Sequence, residues 1–359
     1  MNSVQLKKLG LKNCFEQEAS LYEGLFLARV SEQHRDLYKV IGENGELQAT
    51  VSGKLAFNTT DNSDFPAVGD WVMIDRKDDL AGNAVIHNVL QRRSVFERKA
   101  AGTTSAKQIV AANIDVVFIC MSLNNDFNLR RLERYLSIAW NSGATPVIVL
   151  TKADLCQDLS TRLADISTVS VGTDVVVCSS MHESGYEEII PYISEGKTIA
   201  FIGSSGVGKS TLINRLMGRD VLTTREIRED DSKGRHATTH RQLLLLPSGG
   251  IVIDTPGMRE LQLDSADLSK SFEDIEELAE ECKYKDCSHT TEPGCAVKSA
   301  IEAGVLSDKR FENYLKLRKE IGYEGLNSRQ LEQEKINRMF GSKGEMKQVM
   351  TWAKNKNKR

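Results

Sequence analysis

The sequence predicts a multidomain protein. A small N-terminal β-barrel leads into a central α/β domain with a phosphate loop, and an α-helical, metal-binding module follows. Three observations carry that prediction. Five short strand-like runs crowd into residues 21–90 without a helical stretch between them. From Asp115 onward, apolar runs alternate with helical spacing, and one strand-to-helix turn reads GxxxxGK[ST]. Three cysteines and a histidine then fall within fourteen residues.

The chain has 359 residues, 40% hydrophobic and 27% charged. That composition suits a globular protein of two or three domains and excludes disordered or collagen-like classes. The longest apolar runs, such as Val116–Leu123, fall far short of the ~18–20 residues that span a bilayer. Met1–Gly10 has Lys7 and Lys8 with no apolar stretch behind them, so no secretory signal is expected. A single Cys/His cluster without such a signal suggests the reducing cytoplasm and a metal site, not a disulfide framework. Cys14, Cys120, Cys156 and Cys178 are scattered; Cys120 and Cys178 sit in apolar runs that predict buried free thiols.

Leu21–Val30, Leu37–Ile41, Leu47–Val51, Trp71–Asp75 and Ala84–Leu90 read as strands, with turns at Glu43-Asn44-Gly45 and Ala81-Gly82-Asn83. Residues 1–105 are therefore assigned to a barrel with a leading tail, an OB-fold being one candidate. Residues 106–262 form the α/β domain. Asp115–Ser122 is a continuous apolar run, as in a strand buried on both faces. Leu129–Ser142 has helical spacing through Leu132, Leu136 and Ala139. Strands follow at Pro146–Leu150, Val175–Val177 and Thr198–Ile202, then a helix at Ser210–Met217, then strands at Gln242–Leu246 and Ile251–Ile253. Such alternation implies a mostly parallel sheet. Residues 263–325 read as helices around the cysteine cluster, and 326–359 as a basic tail.

Gly203-Ser204-Ser205-Gly206-Val207-Gly208-Lys209-Ser210 lies between the strand Ile199–Ile202 and a helix beginning at Thr211, the context a P-loop requires. Glycines let backbone N–H groups converge on phosphates, and the helix N-terminus adds its positive end. Lys209 would reach the β- and γ-phosphates, and Ser210 would ligate Mg²⁺. Asp254-Thr255-Pro256-Gly257 follows an apolar strand; Asp254 could hold Mg²⁺ through water, and Gly257 N–H could meet the γ-phosphate. Thr151-Lys152-Ala153-Asp154 ends another strand. A carboxylate such as Asp154 can accept from guanine N1–H and N2–H₂, a donor pair adenine lacks. The Lys152 stem can cover the purine face. Ser179-Ser180 suits a second loop against the base.

Together these segments resemble the motifs of translation-factor-class GTPases, in an unusual order. The base-reading loops precede the P-loop and DxxG comes last, a circular permutation. With the barrel before it, Gly234–His240 (GRHATTH) within it and the Cys/His cluster after it, the chain resembles the RsgA (YjeQ/YloQ) family over about residues 20–320. The resemblance implies a GTPase with GTP/GDP, Mg²⁺ and Zn²⁺, an OB-fold, the small (30S) ribosomal subunit and its rRNA as partner, and a role in late subunit assembly. It departs at Thr151, where the family usually has Asn; Thr has the shorter reach, so a modest guanine affinity is expected.

The polar stretch Thr223–His240 reads as switch I. Thr238 or Thr239 would meet Mg²⁺ and the γ-phosphate and order the loop with GTP, and the resemblance favours Thr239. After DxxG come Met258, Arg259 and Glu260, with no Gln to orient water, so slow intrinsic hydrolysis is expected. His236 is the candidate water-positioning group, a surface or RNA-contacting histidine being the competing reading.

Cys282, Cys287, His289 and Cys295 offer three thiolates and an imidazole, a closed donor set for structural Zn²⁺. The formal charge of −3, from 47 basic and 50 acidic residues, speaks against an RNA partner when taken whole. It is a sum of opposed segments. Asp264–Glu281 has eight acidic residues and one basic; Lys335–Arg359 has eight basic and one acidic. Arg92, Arg93, Arg98, Lys99 and Lys107 against Glu97 form a further positive run. The basic stretches read as phosphate contacts, on a chain expected to be monomeric and free of membrane. A non-catalytic RNA-binding module holding GTP is the alternative function; a P-loop ATPase is disfavoured by Asp154.

Overall fold

The computed structural model describes residues 4–34, 37–59, 62–80, 82–99, 107–124, 127–179, 185–204, 206–222, 241–254, 272–285, 287–289 and 292–322. The segment read as a leading tail carries two short helices, α1 (Val4–Lys8) and α2 (Asn13–Ala19). Helices of five and seven residues do not hold alone in water. Packing supplies what propensity lacks: Leu6, Leu9 and Phe15 are buried, and the Phe15 ring lies 5.8 Å from that of Trp71.

The barrel follows as β1 (Phe26–Gln33), β2 (Tyr38–Gly42), β3 (Gly45–Val51), α3 (Gly53–Asn58), β4 (Trp71–Ile74) and β5 (Ala84–Val89). Its pairing runs β1-β2-β3-β5-β4 and closes with β4 on β1, so five strands form a closed barrel. Alternation sends Ala28, Val30, Val40, Leu47, Val72 and Ile86 inward. The first strand starts at Phe26, not at Leu21, because residues 21–25 form turns and leave Leu21 exposed. A hairpin, β6 (Val95–Lys99) with β7 (Lys107–Ala112), connects the barrel to the next domain.

The α/β domain holds β8 (Val116–Ser122), α4 (Leu129–Ser142), β9 (Thr145–Thr151), α5 (Leu159–Ser167), β10 (Asp174–Val177), β11 (Thr198–Ile202), α6 (Lys209–Met217), β12 (Arg241–Leu245) and β13 (Ile251–Asp254). Spatial order is β10-β9-β8-β11-β13-β12, parallel except for β12. β8 is buried at all seven positions, as its unbroken apolar run predicts. The P-loop strand β11 comes fourth along the chain in this sheet yet lies at its centre, between β8 and β13. The permutation changes where the chain enters the sheet.

Barrel and domain share one eleven-stranded sheet, because the last residues of β1, Glu32 and Gln33, pair with Gln242 and Arg241 of β12. A register shift between Val30 and Glu32 in the β1–β2 ladder accompanies this change of neighbour. Arg29, on the outer face of β1, is completely buried at the seam. Its guanidinium donates to the carbonyls of Leu9, Gly69 and Asn113 and to Thr198 Oγ1. Burial lowers its pKa to about 10, against the pull of Asp115 and Asp70, so it stays cationic at neutral pH.

Helices α7 (Glu273–Glu280), α8 (Ala296–Glu302) and α9 (Asp308–Gly322) complete the described chain. Their Ile275, Val297 and Phe311 join one core cluster with Leu132 and Leu136 of α4. At that contact Glu133 of α4 is buried, accepting from Asn313 Nδ2 at 2.8 Å and Arg310 Nη1 at 3.1 Å. Arg310 also pairs with Asp274 at 2.7 Å. Burial pushes the Glu133 carboxyl above its ordinary pKa despite Arg310 and Asn313. Burial works against the Arg310 cation too, but Asp274 and Glu133 together outweigh it.

Candidate nucleotide-binding and metal-binding sites

Parallel strands β9, β8, β11 and β13 end side by side, and their carboxyl edge is where an open α/β sheet binds ligands. The P-loop leaves β11 through Gly203 at φ 144°. A Cβ there would lie 2.4 Å from the Cys120 carbonyl of β8, so only glycine lets the two strands approach. Gly208, at φ 106°, turns the loop into α6. The described loop residues Gly203, Ser204, Gly206, Val207, Gly208, Lys209, Ser210 and Thr211 thus run from the strand end into the first turn of the helix. Ser205 lies outside the described residues. Lys209 Nζ donates to the carbonyls of Gly203 and Ser204, at 2.7 Å each, so its charge sits inside the curve of the loop.

Thr151 ends β9 beside this loop. Its Oγ1 donates to the Val207 carbonyl at 2.6 Å, and the residue is buried. The hydroxyl reaches far enough to tie the Thr151–Asp154 segment to the P-loop. Lys152 adopts φ 57°, and Ala153 N donates to the Cys178 carbonyl at 3.3 Å. Ser179 Oγ donates to Asp154 Oδ1 at 2.6 Å, orienting an exposed carboxylate at the rim. Three separate segments therefore meet as one cradle: a phosphate loop with an inward ammonium, a neighbouring loop with a carboxylate, and the end of a third segment whose Ser179 bonds that carboxylate. Ser180 lies outside the described residues.

Asp254 closes β13, whose register sets Ile253 beside Ala200 of the P-loop strand. That puts Asp254 at the same edge as the P-loop. His236, Thr238, Thr239 and Gly257 lie outside the described residues. Beneath the loop, Cys120 and Cys178 are buried; burial pushes their thiols up to about 12 and about 11, which makes them inert, as their apolar runs predict.

One contact escaped the motif reading. Arg131 Nη1 of α4 donates to Ser204 Oγ at 3.0 Å. No motif marks Arg131, and 73 positions separate the partners. The only local signal is the Asn128 cap, whose side chain accepts from Arg131 N and fixes the first turn of the helix.

The four sequence-predicted metal ligands do converge, with all ligand atoms within 4.8 Å of one another. Cys282 Sγ lies 3.8 Å from Cys295 Sγ. His289 Nδ1 is 3.6 Å from Cys282 Sγ and 3.5 Å from Cys295 Sγ. A zinc tetrahedron with Zn–S of about 2.3 Å and Zn–N of about 2.0 Å has S···S edges of about 3.8 Å and S···N edges of about 3.5 Å. The donor set fits. Burial lowers the His289 pKa, which favours the neutral imidazole a metal needs. Among the described residues no helix is long and apolar enough to cross a membrane.

Comparison with known proteins agrees with this geometry. An RsgA GTPase family model matches residues 89–264, and an ABC transporter model matches residues 187–350, a span that also includes the P-loop. The small ribosomal subunit biogenesis GTPase RsgA 2 of Lactiplantibacillus plantarum is 54% identical over 347 residues, covering 97% of this chain and 98% of its own. The crystal structure of YjeQ from Thermotoga maritima aligns with a TM-score of 0.61 and 27% identity, over 83% of this chain and 98% of that one. The crystal structure of YloQ, described as a circularly permuted GTPase, aligns at 0.60 and 26%, over 84% and 96%. With relatives this similar along almost its whole length, and with the permuted sheet they share, the chain belongs to the RsgA GTPase family.

Proposed function

We propose that this GTPase is a switch that binds the small ribosomal subunit, acts in its late maturation, and hydrolyses GTP in response to it. The observation that carries the reading is the cradle in which Thr151 ties the Asp154 loop to the P-loop. Phosphate and base recognition meet there, and Asp154 selects guanine over adenine. The partner is supported by the printed function of relatives up to 54% identical, and a working place in the cytoplasm follows from it.

In this reading Lys209 and the loop N–H groups neutralise the β- and γ-phosphates. Ser210 and Asp254 would hold Mg²⁺, with Thr238 or Thr239 of the switch; when bound, the ion offsets charge on the transferring phosphoryl group. Gly257 N–H would sense the γ-phosphate, Thr211 and Ser205 would complete the loop, and Ser179 and Ser180 would line the base. His236 is the candidate to orient water, since Met258 offers no hydrogen bond to do so. Cys282, Cys287, His289 and Cys295 would hold a structural Zn²⁺ that stabilises residues 263–325. Residues 1–105 and the zinc module at 263–325, with its basic tail at 326–359, are the two arms assigned to rRNA, flanking the switch domain at 106–262.

GTP turnover measured with and without purified small subunits, over a range of salt, tests the proposal. Strong stimulation that fades as salt rises is expected. Unchanged turnover at every salt would sink it and favour a non-catalytic RNA-binding protein that merely holds GTP.

A further inference from the structure

Arg131 reaches the phosphate loop from a helix that no nucleotide motif includes. Its Nη1 donates to Ser204 Oγ at 3.0 Å, and the Asn128 cap fixes the turn it stands on. Ser204 matters because of what its backbone holds. Lys209 Nζ donates to the Ser204 and Gly203 carbonyls, at 2.7 Å each. An ammonium has three donors, so these two carbonyls decide where the charge sits and where its remaining N–H is aimed. Gly203 is further locked by its close approach to Cys120 of β8. The Ser204 side chain is held from outside the loop, by Arg131.

We propose that Arg131 is a positioning residue for the phosphate-binding lysine: it fixes Ser204, whose carbonyl sets Lys209 Nζ. The inference rests on reading the loop as the GTP site. An arginine suits the task because its fork is planar and keeps its charge. A loop displaced by ~1 Å can cost ~10²-fold in rate. The contribution falls on the transition state, where the phosphoryl charge meets Lys209, so kcat is affected more than KM.

The test is a double-mutant cycle in the full-length protein. It reads subunit-stimulated kcat and KM for GTP together with GDP affinity from a fluorescent analogue. Arg131→Ala is expected to lower kcat about tenfold, the size of one lost charge-assisted hydrogen bond. Ser204→Ala is expected to lower it as well, and the double variant no further than the more impaired single one. Arg131→Lys, which keeps a donor and the charge, should recover part of the loss. Ser204→Ala removes one oxygen and serves as the readout if Arg131→Ala lowers the melting temperature. Losses that multiply in the double variant would overturn the proposal, as would a kcat unaffected by either change. A wild-type chain that binds no guanine nucleotide would overturn the nucleotide reading along with it; wild-type binding with unaffected variants would overturn this inference alone.

Discussion

Thr151 begins the segment proposed to read the base, with a shorter side chain than asparagine. Its hydroxyl nevertheless meets the Val207 carbonyl at 2.6 Å, because the ends of β9 and the P-loop come close enough for one oxygen to bridge them. Thr151→Val preserves the shape and removes the donor. Stranding a buried carbonyl costs about 1–3 kcal/mol, so GDP affinity is expected to fall roughly tenfold or more, read by fluorescence titration. An unchanged affinity would mean that the two loops are held together by other contacts. At this scale the sequence singled out the residue, but its reach depended on a distance that no motif encodes.

At the scale of elements, β1 is the unexpected one. Its pattern announces a barrel strand, and its last two residues, still paired with β2 on one side, pair with β12 on the other. Arg29 sits where these roles meet and holds the N-terminal helices, the barrel and the start of the P-loop strand through Leu9, Gly69 and Thr198. Removing a buried, hydrogen-bonded charge costs about 3–5 kcal/mol. Arg29→Met is therefore expected to lower unfolding stability by about that amount, measured by urea denaturation. A change below ~1 kcal/mol would show that the seam is held by its apolar contacts instead. The basic run beside the barrel also changes on inspection. Arg92 is turned inward, bonded to Asp70 at 2.8 Å and to the Ser63 and Phe65 carbonyls, and so is not free to meet phosphate. Its neighbours in sequence, Arg98, Lys99 and Lys107, belong to the β6–β7 hairpin.

Across the whole molecule, α4 stands between the nucleotide cradle and the cysteine module. Arg131 faces the P-loop and Glu133, two residues on, anchors Arg310 and Asn313 of α9. The helices that flank the cluster share the core of the α/β domain. With Zn²⁺ held there as proposed, chelation should therefore loosen the cluster from Cys282 to Cys295 without releasing α9 or abolishing nucleotide binding. Limited proteolysis of chelated protein is expected to cut near the cluster first, while GDP titration stays close to that of untreated protein. Full protection after chelation would refute a structural role for the metal.

The sequence by itself determined what is local. The P-loop, the TKxD and DxxG segments and the Cys/His spacing each need only a few consecutive residues, because backbone geometry and donor chemistry act over one turn. Strand and helix periods gave β8, α4 and β11 almost to the residue, since their burial is strongly patterned. The tertiary structure alone decided what depends on distant partners. The two N-terminal helices form because Leu6, Leu9 and Phe15 find a surface to bury against. The barrel joins the central sheet because two residues of β1 meet two of β12, and Arg131 gains a role because α4 brings it to Ser204. These contacts span tens to hundreds of positions, and their energy exists only once the chain has closed around them.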